Sequence, residues 1–104
     1  MKTEHQTVIF NSSSTLVKVK TIFTADKPCF LLASAVHIFH HDAAKNISLQ
    51  SGYQIFASEA IDGAASVVGL FSLKNGESVD LYTASTVDGA GTNPIFYSIL
   101  KFNV

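Results

Sequence analysis

The chain has 104 residues, 47% of them hydrophobic and eight of them Phe, enough for one domain with its own core. Only 14% are charged, against ~25% in an ordinary soluble domain, and the net charge is −1 with every positive charge a Lys. That balance excludes a nucleic-acid binder, which needs a clustered basic patch and Arg for phosphates and base edges. The single cysteine, Cys29, excludes an internal disulfide and a cysteine-built zinc site, and between Pro28 and Phe30 it reads as a small core residue.

In chain order, residues 1–6 are polar and are expected to be flexible. They lack the apolar segment of a signal peptide, and no run approaches the ~20 apolar residues of a membrane span. Synthesis in a cytoplasm, without membrane insertion, is therefore the expectation. Val8-Ile9-Phe10 forms a short first strand, stopped by Asn11-Ser12-Ser13-Ser14. Residues 15–23 alternate, with Val17, Val19, Thr21 and Phe23 on one face and Lys18 and Lys20 on the other. Pro28 closes the following turn because it cannot donate to a central ladder.

Residues 29–45 fit two patterns. As a helix, Ser34, His37, His41 and Lys45 make a polar stripe; as a strand, 30–39 is a buried apolar run. The flanking segments all read as strand, so strand is the reading adopted. Asn46-Ile47-Ser48-Leu49-Gln50 alternates cleanly, and Ser51-Gly52 turns the chain into Tyr53-Gln54-Ile55-Phe56-Ala57. Residues 59–66, with Asp62-Gly63, read as a loop.

Residues 67–83 are the strongest local signal: two apolar runs flank Asn75-Gly76, which predicts a hairpin with a tight turn. Val79 and Leu81 point inward and Ser78, Asp80 and Tyr82 outward. Residues 87–94, with Gly89, Gly91 and Pro94, form the most loop-like stretch. The last strand, 95–102, is predicted to turn Phe96, Leu100 and Phe102 to the core. Tyr97 and Ile99 then make the other face partly apolar as well, which calls for a covering subunit. Seven to eight strands at this spacing predict one all-β domain over 1–104, an antiparallel β-sandwich or jelly roll.

Chemistry is sparse. His37, His40 and His41 are weak metal-ligand candidates, because on a strand His37 and His41 lie roughly 13 Å apart, too far to share one ion. The acids are scattered, with no facing pair for glycoside hydrolysis, and no nucleophile elbow or phosphate loop is present. No enzyme, cofactor or resident metal is therefore expected. Recognition in a sandwich falls to loops at one end. The candidates are Asp62, Asp88, Thr92 and Asn93, with Tyr82 as a stacking face nearby.

Two segments carry a resemblance. The step Thr21-Ile22-Phe23-Thr24-Ala25-Asp26-Lys27-Pro28, followed by an apolar strand, and the Leu-Lys-x-Gly-Glu-x-Val-x-Leu element at 73–81, followed by a closing strand at 96–102, resemble small β-sandwich domains of tailed-bacteriophage virion proteins. The late element is also similar to the trimeric C1q and tumour-necrosis-factor-like heads on some phage fibres. The resemblance implies a virion structural protein of the interaction class, either a receptor-binding tail-fibre tip or a subunit decorating head or tail. A native start at Met1 favours the decoration subunit; an internal start favours the tip. Its implied partners are itself, as a homotrimer, together with other virion proteins or a host-surface glycan or protein. The family's trimer-axis aromatics have no residue-by-residue match here; Tyr97 and Ile99 are the interface candidates from the residues themselves. The alternatives are a carbohydrate-binding module of a cellular protein and a small jelly-roll enzyme with a metal at the histidines.

Overall fold

The computed structural model of the chain describes residues 2–11, 16–38, 44–61, 64–85 and 92–103. Eight strands make up the described residues: β1 (Lys2–Asn11), β2 (Val17–Thr24), β3 (Cys29–Ile38), β4 (Ala44–Ser51), β5 (Gln54–Glu59), β6 (Ala64–Leu73), β7 (Ser78–Ser85) and β8 (Thr92–Asn103). They form two antiparallel four-stranded sheets, ordered β1-β8-β3-β6 and β2-β7-β4-β5. This is a jelly-roll order, one of the two all-β architectures expected above. Residues 29–38 are strand, as adopted above; 39–43 lie outside the described residues.

The ladders nest. β4 pairs with β5, β3 with β6, β2 with β7 and β1 with β8, so the chain is one long hairpin rolled into a sandwich. Its tip is the two-residue turn Gly52-Tyr53 between the paired residues Ser51 and Gln54. Gly52 has φ +57, where a side chain is disfavoured. Tyr53 stands fully exposed beside it.

The hairpin expected at Asn75-Gly76 is not one. The chain does reverse there, with Gly76 at φ +88 and Glu77 N–H donating to the Lys74 carbonyl (3.1 Å). But β6 and β7 belong to different sheets. The turn is an inter-sheet crossover, tied to the β2–β3 corner by Gly76 N–H to Ala25 O (2.7 Å) and Ala25 N–H to Glu77 O (2.8 Å). A turn pair fixes where the chain reverses; it does not decide whether the flanking strands bond to each other.

Three further expectations are corrected. β1 starts at Lys2, not Val8, because the twelve-residue β8 offers its backbone a ladder along the whole segment. In β2 the register shifts twice, between Lys18 and Lys20 and between Thr21 and Phe23, so Lys18 and Lys20 fall on opposite faces. In β8 the phase is inverted: Ile95, Tyr97 and Ile99 are buried, and Phe96 is 48% exposed.

The core lies between the sheets. Cys29, Leu31, Ala33 and Ala35 of β3, Ala65, Val67, Phe71 and Leu73 of β6, and Ile95, Tyr97 and Ile99 of β8 meet Ile47, Leu49, Val79 and Leu81. At one side β5 and β6 close the sandwich through Phe56, whose ring meets Phe71 edge-on at 5.1 Å between centroids. Gly69 lies against that ring: a Cβ there would sit 2.5 Å from Phe56 Cδ2 and 2.7 Å from Cγ. A glycine inside a strand often marks such an approach. Because Cγ is close to the backbone and the ring is held on Phe71, the strands themselves must shift to admit a methyl group. Gly69→Ala is therefore expected to lower stability by about 1–3 kcal/mol, as overpacking does; chemical denaturation of the two proteins measures it.

Candidate functional site: an apolar sheet face

The two outer faces of the sandwich differ in chemistry. On the β2-β7-β4-β5 sheet, the outward residues of β2, β7 and β4 are mostly polar and bonded to one another, while the edge strand β5 turns Ile55 (57% exposed) outward. Thr21 Oγ1 donates to Asp80 Oδ1 (2.6 Å), Lys18 lies 3.5 Å from the same carboxylate, the Thr24 and Ser78 hydroxyls are 2.8 Å apart, and Gln50 Nε2 donates to Ser48 Oγ (3.1 Å). Tyr82 belongs to this face, as predicted; it is half-buried, opposite Lys18 and Ser48 in register. Exposed ion pairs such as Lys18–Asp80 contribute little stability, but they keep a face in water.

The outer face of the β1-β8-β3-β6 sheet is the reverse. Register sets Phe30 beside Phe102, Leu32 between Leu70 and Leu100, and Val36 beside Phe96. Val68 (64%), Leu70 (55%), Phe96 (48%) and Phe30 (42%) are exposed there. No described outward residue of β3, β6 or β8 is charged. The polar interruptions are serines: Ser34, whose hydroxyl bonds that of Ser98 (2.8 Å), and the exposed Ser66 and Ser72 of β6. Phe30, Leu32, Leu70 and Phe102 line a shallow groove of about 520 Å³. Apolar patches that reach across neighbouring strands are commonly the places where proteins meet a partner.

The sequence candidates fall elsewhere. Tyr97 and Ile99, expected at a subunit contact, are core residues, 4% and 5% exposed. Tyr97 reaches through the core so that Lys20 Nζ donates to its hydroxyl (2.9 Å). Asp62, Asp88, His40 and His41 lie outside the described residues. Thr92 and Asn93 open β8 and pair with Asn11 and Phe10, so they belong to a strand and not to the loop proposed for 88–93. Sequence reasoning noticed that 95–102 is apolar on both faces but assigned the inner and outer sides the wrong way round. It missed Val68 and Leu70, whose exposure depends on the sheet that β6 joins.

His37 is not a solvated strand end. It is fully buried, and its Nδ1 lies 2.5 Å from Thr83 Oγ1 on the opposite sheet. Thr83 donates its hydroxyl proton to the Asn46 carbonyl (2.9 Å), so its oxygen accepts from His37 and the imidazole proton is on Nδ1. The histidine thus joins β3 to β7 across the core. Among the described residues no group of three His, Cys, Asp or Glu could hold a metal ion.

Comparison with protein-family models, with curated proteins and with solved structures found no match.

Burial lowers the His37 pKa from 6.5 to about 4. The unfolded chain therefore takes up this proton near pH 6.5 and the folded chain only near pH 4. Between those values the unfolded state binds more protons, so stability falls as pH falls, by about 3 kcal/mol in all. Denaturant titrations at pH 7, 5.5 and 4 should show that slope, and His37→Gln should lack it.

Proposed function

We propose that this chain is a structural, self-associating subunit whose assembly contact is the apolar outer face of the β1-β8-β3-β6 sheet. The observation that carries the reading is the asymmetry of the sandwich: one outer face is polar and internally bonded over β2, β7 and β4, the other largely apolar and uncharged over β3, β6 and β8. A lone subunit holds Val68, Leu70, Phe30 and Phe96 in water for no structural gain, whereas burying each such side chain contributes about 1.5–3 kcal/mol.

For its setting we propose the tailed-phage virion, as a decoration subunit or fibre tip. What supports this is the jelly-roll strand order together with the motif resemblance at 21–28 and 73–81. Of the three histidine candidates the described one, His37, is engaged in the core with Thr83, which favours a structural role over an enzymatic one. A virion setting makes a concrete genomic demand: the genes flanking this one should encode head or tail proteins, and a neighbourhood of metabolic genes would remove that part of the proposal.

Self-association is tested by Leu32→Asp. Leu32 faces outward, so the substitution leaves the core intact while placing a carboxylate in the contact. Loss of about 2 kcal/mol of burial plus desolvation of the charge should weaken association at least ~30-fold. Light scattering at tens of micromolar should find an oligomer for the wild type and a folded species of lower mass for the variant. A monomeric wild type at that concentration overturns the proposal.

A further inference from the structure

β6 is the edge strand of the apolar sheet, and over a short, defined length its outward peptide groups make no hydrogen bond among the described residues. In an antiparallel ladder alternate residues direct both N–H and C=O to the partner strand, and the residues between direct them away. Two contacts fix which residues of β6 face away from β3. The Ser72 N–H donates to Gln54 Oε1 and its carbonyl accepts from Gln54 Nε2, both at 2.8 Å. Ala64 exchanges a pair of bonds with Ile61, at 2.8 and 3.2 Å. Ser66, Val68 and Leu70 lie between them with the same orientation. Their three outward N–H and three outward C=O groups have no partner among the described residues.

Exposed edges are normally guarded by bulges, charges, prolines or shortness. β2 has two register shifts and sends Lys20 inward to Tyr97. β5 is six residues long and carries Glu59, and β1 carries Lys2 and Glu4. β6 has none of these devices. Its ten residues, Ala64–Leu73, include no charge and no proline, and they pair with β3 without a register shift.

We infer that β6 pairs with β6 of a second copy, antiparallel about a two-fold axis at Val68. The occupant follows from the symmetry of the opening. With Val68 opposite Val68 of the second copy, and Ser66 opposite its Leu70, every open donor meets an open acceptor and six hydrogen bonds form. Moving the axis by one residue sets Leu70 against Ala64, which is already engaged with Ile61. No like charges meet along the seam, and the apolar outer faces of the two copies join across an eight-stranded sheet. The inference rests on the self-association reading above and adds a commitment to it: assemblies contain an even number of chains, in place of the three-fold expected from the fibre-head resemblance.

Two variants test it. Directly opposed residues of a hydrogen-bonded pair have Cα atoms about 5.5 Å apart, within disulfide range. Val68→Cys should therefore form a covalent dimer under mild oxidation. Ser66→Cys, roughly 13 Å from its symmetry mate by strand rise, should not; native Cys29 is buried and does not compete. Val68→Pro removes an N–H that no intrachain bond uses, so the subunit should stay folded by circular dichroism and fall to a lower oligomeric mass. The inference is overturned if Val68→Cys cross-links no better than Ser66→Cys, if folded Val68→Pro keeps the wild-type mass, or if the wild type is a trimer. Should Val68→Pro fail to fold, the cysteine pair decides alone. Dissociation by Leu32→Asp without any effect at Val68 leaves the face reading standing and removes the edge pairing; a monomeric wild type removes both.

Discussion

The constraint on which the rest depends is the turn at Gly52-Tyr53. It is the tip of a nested set of ladders, and among the described strands β4 and β5 are the only pair that are both consecutive in sequence and bonded to each other. Once Ser51 and Gln54 are paired, every outer ladder follows with near-constant offset, and the apolar residues of each strand are delivered to one interior. Pairing of β1 with β8 closes almost the whole chain into one loop, so the fold is dominated by contacts between distant residues and is expected to form slowly.

Rolling this long hairpin leaves two sheets held together by packing and by a few buried polar links. Phe71, Leu31, Ile95, Ile47, Leu49 and Leu81 supply the packing. The His37–Thr83–Asn46 relay and the Lys20–Tyr97 bond are directional, and each joins one sheet to the other. Apolar contact alone tolerates sliding of one sheet over the other; a buried hydroxyl that must donate to one carbonyl and accept from one imidazole does not. The cost of that specificity is a histidine held neutral in the core.

Much of the architecture was legible in the sequence. The strand count and the turn at Gly52 follow from alternation and turn residues, and the reading of 29–38 as strand follows from the strands that flank it. Face assignment was less legible, for identifiable reasons. Residues 95–102 carry large apolar groups on both sides, so alternation holds no phase information and Ile95, Tyr97 and Ile99 could be told from Phe96, Leu100 and Phe102 only by the strands beside them. In β2 the two register shifts change the phase within eight residues, which sends Lys20 inward although it stands two places from Lys18. At Asn75-Gly76 the turn chemistry was read correctly and its topology was not. Both kinds of connection need positive φ at Gly76, and only the bonds from Ala25 to Gly76 and Glu77 reveal a crossover. The candidate face was hardest to see, since it is assembled from three strands that are distant in sequence.

That assembly also explains why the apolar face and the open edge occur together. β6 contributes to both, through Val68 and Leu70 to the face and through their outward peptide groups to the edge. A strand that stayed in water on both counts would gain from a lysine at either position, and the sandwich shows that this chain can place charge on its surface, as at Lys18 and Asp80. Charge is instead kept to the other sheet, to β1 and to the ends of the roll, where Lys101 lies 3.6 Å from Asp26. The low overall charge is thus not spread evenly as a generally sticky surface. It is concentrated away from the outward residues of β3, β6 and β8, and a surface polarised in this way favours association in one direction over indiscriminate aggregation.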